Sequence, residues 1–501
     1  MSTTNLNIPS RPPSNAASAS RDLVGFSIEQ DQWPDWAGSS SPNTFWINAL
    51  NNLKTLSGLP TRIRIGANSE DHTDFSPAVK IVQTIFPAIS TTVPYPEATN
   101  ITVGQGFYDL AANLPSGTPV IWGVNFGENN LTAAYLETVA ICNAFKSSTI
   151  KSKGVALEAI EIGNEADLYS NNGHRSSNYS INDYVPQWTT FAKNVTTTAS
   201  KLMGRKVPLQ GLAFAFSTRN ANGFSAEAAI DLGILGSSAG KQIKQISQHH
   251  YSGSFCTGSA ALLQDLMTKS AIRSNLTFFN SDIAAVQAVG LPYVLGETNS
   301  YSCHGAPGVS DTAGAALWAL DYLLYATQIG IERVYFHEGI GYKYNFIQPV
   351  TLTRSIRDGT PLASPLPPHI QPAYYAAVIV AEAIGTSGRT SVAELNTGNA
   401  TQVSAYAFYE GSALRRALFI NLHAYAGGTR GFAHFSLNGT GQMTVKRLSV
   451  PLANATAGVT WGGQTYETSD AKVSGALKVQ HVPVSGGVDV HDTEVVLLSF
   501  N

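Results

Sequence analysis

Short apolar runs punctuate the first two thirds of this chain, at residues 24–29, 62–66, 120–126, 157–162, 208–215, 246–251, 293–296 and 333–338. They are rich in β-branched and aromatic residues and carry few charges, the pattern of strands buried on both faces. Between them, apolar positions recur at three- and four-residue spacing over 43–56, 131–145, 181–202, 226–235 and 313–328, which predicts helices. Alternation of strand and helix points to parallel βα units, and eight strands are the count of a (β/α)8 TIM barrel in the α/β class.

The pattern changes near residue 385. A proline-rich stretch, 359–372, reads as irregular; a last helix follows over 373–384, and Gly385 and Gly388 mark its exit. Beyond it, 401–408, 416–421, 431–437, 442–448, 476–482 and 493–500 read as short strands between turn residues. That spacing predicts an antiparallel β-sandwich. Residues 3–8 have the character of an edge strand for it. The expected organisation is an N-terminal strand within 1–20 that joins the sandwich, a catalytic barrel over 21–385 and a β-sandwich domain over 386–501.

Charge narrows the classes of partner. Only 13% of the 501 residues are charged and the net charge is −3, with no lysine or arginine block. Nucleic acid and anionic membrane surfaces are therefore not expected partners. No apolar run approaches the ~20 residues that span a bilayer; the longest are broken by Asp321 and Glu382. Eight Asn-x-Ser/Thr sequons, at Asn100, Asn130, Asn178, Asn194, Asn275, Asn399, Asn438 and Asn454, together with low charge, predict a secreted eukaryotic protein whose leader is absent here. A monomer is the expected state.

Cysteine usage is sparse. Cys142 lies within a helical stretch and reads as a small buried hydrophobe. Cys256 and Cys303 each follow a barrel strand, so both fall in mouth loops, and the reading is a disulfide between them, with two free thiols as the alternative. No Cys or His spacing matches a metal site, and no cofactor is expected.

Two of the strands end in glutamate flanked by asparagine: Ala159-Ile160-Glu161-Ile162-Gly163-Asn164-Glu165 and Leu295-Gly296-Glu297-Thr298-Asn299. In a β/α barrel the carboxyl ends of the strands share one mouth, where the active sites of this fold lie. Two carboxyls facing each other there are what cleavage of a glycosidic bond requires. Glu165 and Glu297 are thus the candidate catalytic pair. His249-His250-Tyr251 ends the sixth strand. Because successive strand residues face opposite ways, only one histidine points inward, and Tyr251 points with His249, placed to donate to Glu297. Glu29 and Asn125 end the first and third strands and are candidates to meet sugar hydroxyls; His337 and Glu338 end the eighth.

The segments Gly25-Phe26-Ser27-Ile28-Glu29, Arg62-Ile63-Arg64-Ile65-Gly66-Ala67-Asn68-Ser69-Glu70-Asp71, Glu161-Ile162-Gly163-Asn164-Glu165, Gly296-Glu297-Thr298-Asn299-Ser300 and Gly308-Val309-Ser310-Asp311-Thr312 resemble the motifs of glycoside hydrolase family 79. That family holds β-glucuronidases and, more distantly, heparanases. The resemblance implies a barrel with a β-sandwich partly built from the N-terminus, and retaining hydrolysis with Glu165 as acid/base and Glu297 as nucleophile. It further implies Asn164 on the C2 hydroxyl and Tyr251 on Glu297. Tyr301 and Tyr344, with backbone amides near Gly305, would bind the glucuronate carboxylate. One departure is Ala67, where the family commonly has glycine; a positive φ there would strain alanine.

The expected activity is an exo-acting β-glucuronidase on a β-glucuronide or glucuronate-bearing glycan. Two alternatives stand beside it. An endo-acting, heparanase-like enzyme would need basic residues along an open cleft, and Lys343 is the nearest cation to the candidate loops. A carbohydrate-binding barrel without turnover would not need both carboxyls.

Overall fold

The computed structural model describes residues 2–220, 222–398 and 400–500. Its eight central strands are β1 (Val24–Glu29), β2 (Ile63–Gly66), β3 (Pro119–Val124), β4 (Ala156–Ile162), β5 (Leu209–Phe214), β6 (Ile243–Ser254), β7 (Tyr293–Ser302) and β8 (Ile331–Glu338). They pair in sequence order, all parallel, and β8 closes on β1 with Val334 opposite Val24 and Glu338 opposite Ile28. The eight runs found in the sequence are the eight barrel strands.

Two of them run longer than their apolar cores. β6 and β7 continue past the mouth as a paired extension, Gly253 opposite Tyr301 and Ser254 opposite Ser302. The extension is made of Ser, Gly, Asn and Tyr, so hydropathy alone does not mark it. A disulfide between Cys256 and Cys303 ties its end, and Cys142 is buried and free, as the sequence indicated.

Helices cover the barrel where the three- and four-residue spacing placed them, among them Thr44–Ser57, Leu131–Lys146, Ile181–Met203 and Ala313–Gln328. Their starts are set by caps: Asn43 accepts from the Trp46 N–H, Asn130 from Thr132 and Ala133, and Thr312 from Ala315. No helix among the described residues is long and apolar enough to cross a membrane.

The proline-rich stretch is more regular than expected. Pro361–Leu366 pairs antiparallel with Leu352–Arg354, and His369–Ile370 with Ile347–Gln348. Proline cannot donate to a ladder, but in a two-stranded ribbon one edge is always unpaired, so it is tolerated there. The following helix, Tyr374–Ile384, packs between barrel and β domain.

The β domain consists of two sheets. The larger runs in the order Ala17–Ser18, Thr390–Glu394, Val403–Glu410, Ala413–Asn421, Glu494–Phe500, Gln442–Ser449 and Thr460–Trp461. The smaller joins Ser2–Leu6 in parallel to Phe432–Leu437, which pairs antiparallel with Val488–His491. Thr390–Glu394 and Val488–His491 carry mixed polar content and were not distinguished from turns in the sequence. Between the sheets Phe419 stacks on Phe435 with centroids 4.6 Å apart, and Leu6 lies in the same cluster. Barrel and sandwich are joined by Arg273, which donates to Asp321 in the barrel and to Glu394 and Tyr406 in the sandwich.

Candidate active site

At the end of β4 the backbone makes two left-handed steps, Gly163 at φ 75° and Glu165 at φ 52°. A Cβ at Gly163 would sit 2.6 Å from both Phe126 Cβ and the Tyr169 hydroxyl, so only glycine fits this turn. Glu165 accepts the strained conformation because its N–H donates to the Ala213 carbonyl at 2.8 Å. That carbonyl is presented by an irregularity in β5, where Leu212 and Ala213 also have positive φ and the register shifts. Strain held at a site by its surroundings is a common mark of function. Asp71 anchors the same turn from below: its carboxylate accepts the N–H groups of Phe126, Gly127 and Asn164 and the Tyr169 hydroxyl. Ala67 has φ 68° and ψ −156°, a conformation that favours glycine. The departure seen in the sequence is therefore a strained alanine, and the 3-10 turn that carries Asp71 follows directly from it.

Glu297 leaves β7 opposite His249 of β6 and points into the mouth. Arg64 Nη1 donates to its Oε2 at 2.7 Å, and the Tyr251 hydroxyl donates to its Oε1 at 2.7 Å. Arg64 is fully buried on β2 and is spent entirely on the site. It also donates to Glu161 on β4 at 2.7 Å, to Ser27 on β1 at 2.9 Å and to the side-chain oxygen of Asn164 at 2.8 Å. Burial alone would push the Glu297 carboxyl up, but His337, His249 and Arg64 oppose it and hold it well below the usual carboxylate range. His249 has its own pKa pushed down by burial to about 4, whereas that of His337 is raised, against burial, by the Glu297 and Glu29 carboxylates.

Glu165 is in the opposite state. Burial and the Glu297 charge raise its pKa to about 8, with Arg64 opposing. His249 Nδ1 lies 2.9 Å from Glu165 Oε1, within hydrogen-bond reach. Side-chain atoms of Glu165, His249 and Glu297 all lie within 4.8 Å of one another. The three are close enough to share an ion. The guanidinium already on Glu297 satisfies its charge and would repel a second cation.

The pair faces a cleft of about 670 Å³, also lined by Glu29, Asn164, Tyr251 and Tyr344, within the range of small-ligand sites. Asn164 gives its oxygen to Arg64, which leaves its NH2 free of protein partners among the described residues. Glu29 accepts from Ser69 and lies 3.1 Å from His337 Nε2. The Tyr344 ring stands 6.0 Å from that of Tyr251, and Asn299 Nδ2 holds the Tyr344 carbonyl at 3.3 Å.

Three expected residues do not reach the cleft. Asn125 spends its side chain on the backbone, donating to the Thr73 carbonyl of a neighbouring segment and accepting from the Glu128 N–H of its own loop. Tyr301 has the same strand parity as Glu297. Past the mouth, however, β7 stays paired with β6, and the Tyr301 ring covers Gly253 instead. The Gly305 N–H donates to the Tyr301 carbonyl at 3.0 Å and is not available to a ligand. Lys343 is buried and donates to the Thr92 carbonyl, away from the pair. Conversely, Arg64, His249 and His337 were not assigned roles from the sequence. The one signal for Arg64 is a cation inside an apolar strand, Ile63-Arg64-Ile65, which must find buried partners. His250, next to His249, faces outward and stacks on Tyr322.

Comparison with known proteins agrees with this geometry. Residues 405–497 match the glycosyl hydrolase family 79 C-terminal beta domain. A β-glucuronidase of Neurospora crassa is 30% identical over 88% of this chain and 84% of its own length. One from Aspergillus niger is 28% identical over 95% and 88%. Among solved structures, a 4-O-α-L-rhamnosyl-β-D-glucuronidase from Fusarium oxysporum 12S superposes with TM-score 0.81 at 26% identity, covering 99% of this chain and 100% of that one. A family 51 α-L-arabinofuranosidase from Bifidobacterium longum, with TM-score 0.59 at 15% identity over 100% of both chains, shares the fold. A barrel whose fourth and seventh strands present paired glutamates, joined to this β domain and to relatives of this length, has one classification: the chain belongs to glycoside hydrolase family 79.

Proposed function

We propose that this chain is a retaining, exo-acting β-glucuronidase that releases terminal β-linked glucuronic acid from glucuronides or glycan side chains. The observation that carries the reading is the closeness of two carboxyls at one mouth, in surroundings that push their pKa values apart. Their nearest oxygens lie within 4.8 Å, whereas an inverting enzyme keeps its carboxyls ~6.5–9.5 Å apart to seat a water. Protonated Glu165 donates to the leaving oxygen while ionised Glu297 attacks the anomeric carbon, forming a glycosyl ester and a neutral alcohol. Once the ester forms, the Glu297 charge is gone, the Glu165 pKa falls, and Glu165 takes a proton from the water that hydrolyses the ester. Following p-nitrophenyl β-glucuronide hydrolysis by NMR tests this: the β anomer should appear first, and an initial α anomer would remove the retaining assignment.

The activities of the relatives, β-glucuronidases, support the sugar, and so does the cleft. No lysine or arginine lines it, so an extended basic groove of the endo-acting kind is missing among the described residues. A carboxylate can instead be met by neutral donors, avoiding the desolvation of a buried cation. Tyr344 lines the cleft and is the tyrosine we assign to this role. Tyr344→Phe is expected to lower kcat/KM on a β-glucuronide about tenfold more than on the matching β-glucoside, the worth of one hydrogen bond to a charged group. Equal losses would count against a role on the carboxylate.

The pH profile follows from the pair. Activity needs Glu297 ionised and Glu165 protonated, so kcat/KM should hold through mildly acidic and neutral pH and fall as pH rises through about 8, where Glu165 loses its proton. A basic limb near the ordinary glutamate value of about 4.3 would overturn the acid assignment.

Secretion and glycosylation belong to the same proposal. Asn100, Asn130, Asn178, Asn438 and Asn454 are exposed, Asn194 and Asn275 are half-buried, and Asn399 lies outside the described residues. The Cys256–Cys303 disulfide fits an oxidising compartment.

A further inference from the structure

The cleft wall beyond Glu165 is apolar. Phe216 is 50% exposed and Leu168 37%, and both line the cleft beside Glu165. A single exposed hydrophobe needs no explanation, but this phenylalanine is held in place from three sides. Asp167, two residues after Glu165, accepts the N–H groups of Ala215 at 2.9 Å and Phe216 at 3.1 Å. Gln248 Nε2 donates to the Phe216 carbonyl at 3.0 Å, and Gln248 is fixed in turn by the Tyr293 hydroxyl at 2.9 Å. Behind the ring, Phe278 stacks at 4.7 Å and 27°, and Arg219 lies 4.6 Å above the Phe278 ring. One face of Phe216 is thus covered by protein and the rest of the ring is open.

Position decides what meets the open side. In the double displacement the leaving oxygen must sit at the Glu165 carboxyl, so the group it carries extends past Glu165 and not past Glu297. Leu168 follows Glu165 by three residues, and the Asp167 carboxylate ties the Phe216 backbone to that same turn. We infer that Phe216 and Leu168 form a leaving-group subsite that takes a flat ring by its apolar face, either an aryl group or the C–H face of a sugar. This rests on the acid role proposed for Glu165. Stacking of a ring on a preset aromatic contributes beyond its buried area, and a methyl aglycone is too small to collect it.

The test measures kcat/KM for the wild type, Phe216→Ala and Phe216→Trp on phenyl β-glucuronide, methyl β-glucuronide and a β-glucuronyl-galactose disaccharide. Phe216→Ala should lose about tenfold on a ring-bearing substrate and less than about twofold on the methyl glycoside, and Phe216→Trp should keep the ring preference. Loss on the phenyl substrate identifies an aryl ligand; loss on the disaccharide identifies a sugar face. Equal loss on all three, or none on either ring-bearing substrate, overturns the subsite. A wild type inactive on every glucuronide overturns the proposed function instead. The same phenyl-against-methyl comparison on whichever β-glycoside it does cleave then decides the subsite, and a wild type that cleaves none overturns both.

Discussion

Glu297→Gln should lower kcat on p-nitrophenyl β-glucuronide by about five to six orders of magnitude, the scale on which a covalent mechanism fails without its nucleophile. The amide has the carboxylate's shape, and Tyr251 and Arg64 can remain nearby, but it cannot form the glycosyl ester. Glu165→Ala should behave differently. With a p-nitrophenolate leaving group the first step needs little proton transfer, so the loss falls on the hydrolytic step, at about 10²–10⁴-fold for a missing acid/base. The ester should then accumulate, and added azide should restore turnover and yield the β-glucuronyl azide, since a small anion can attack without a base. If Glu297→Gln kept more than about a hundredth of wild-type kcat, the nucleophile would have to lie elsewhere in the cleft.

Arg64→Met should produce the largest loss of stability, about 3–5 kcal/mol, because it strips a buried cation from carboxylates that stay behind. Glu161 and Glu297 would share the barrel interior without their common partner, and the Asn164 oxygen would lose its donor. A denaturation midpoint measures the first effect. Kinetics measure a second with a definite sign: without the guanidinium the ionised form of Glu297 is less favoured, its pKa rises, and the acidic limb of kcat/KM moves to higher pH. Arg64→Lys should lie between, since an ammonium keeps charge but cannot reach four acceptors through a planar fork. A variant with unchanged midpoint and unchanged acidic limb would show that Arg64 is dispensable to the site.

Much of this architecture is legible in the chain, for reasons that differ by residue. Barrel strands announce themselves because both faces are buried, which forces runs such as Ile160-Glu161-Ile162. The helix Ala313–Gln328 reads at both ends because Thr312 caps it. Glu165 and Glu297 stand out because a glutamate next to asparagine is unusual at the end of an apolar strand. Arg64 shows the limit. Its partners lie 37, 97, 100 and 233 residues away, and no local pattern states which carboxylates a buried cation will meet. Tyr301 shows another: its parity along β7 was right, but it falls in the paired extension beyond the mouth, where its ring packs over Gly253. Asn125 fails for a plainer reason, since backbone groups of Glu128 and Thr73 take both its side-chain oxygen and its NH2.

One pairing described above bears on biosynthesis. Ser2–Leu6 lies in register against residues 433–437. On the ribosome that strand must therefore stay unsatisfied until residue 437 has emerged, so a segment made late secures one made early. Tags or fusions placed ahead of Ser2 would tug on that late-forming seam rather than on the catalytic cavity, and a circular permutant that opens elsewhere would relieve the wait.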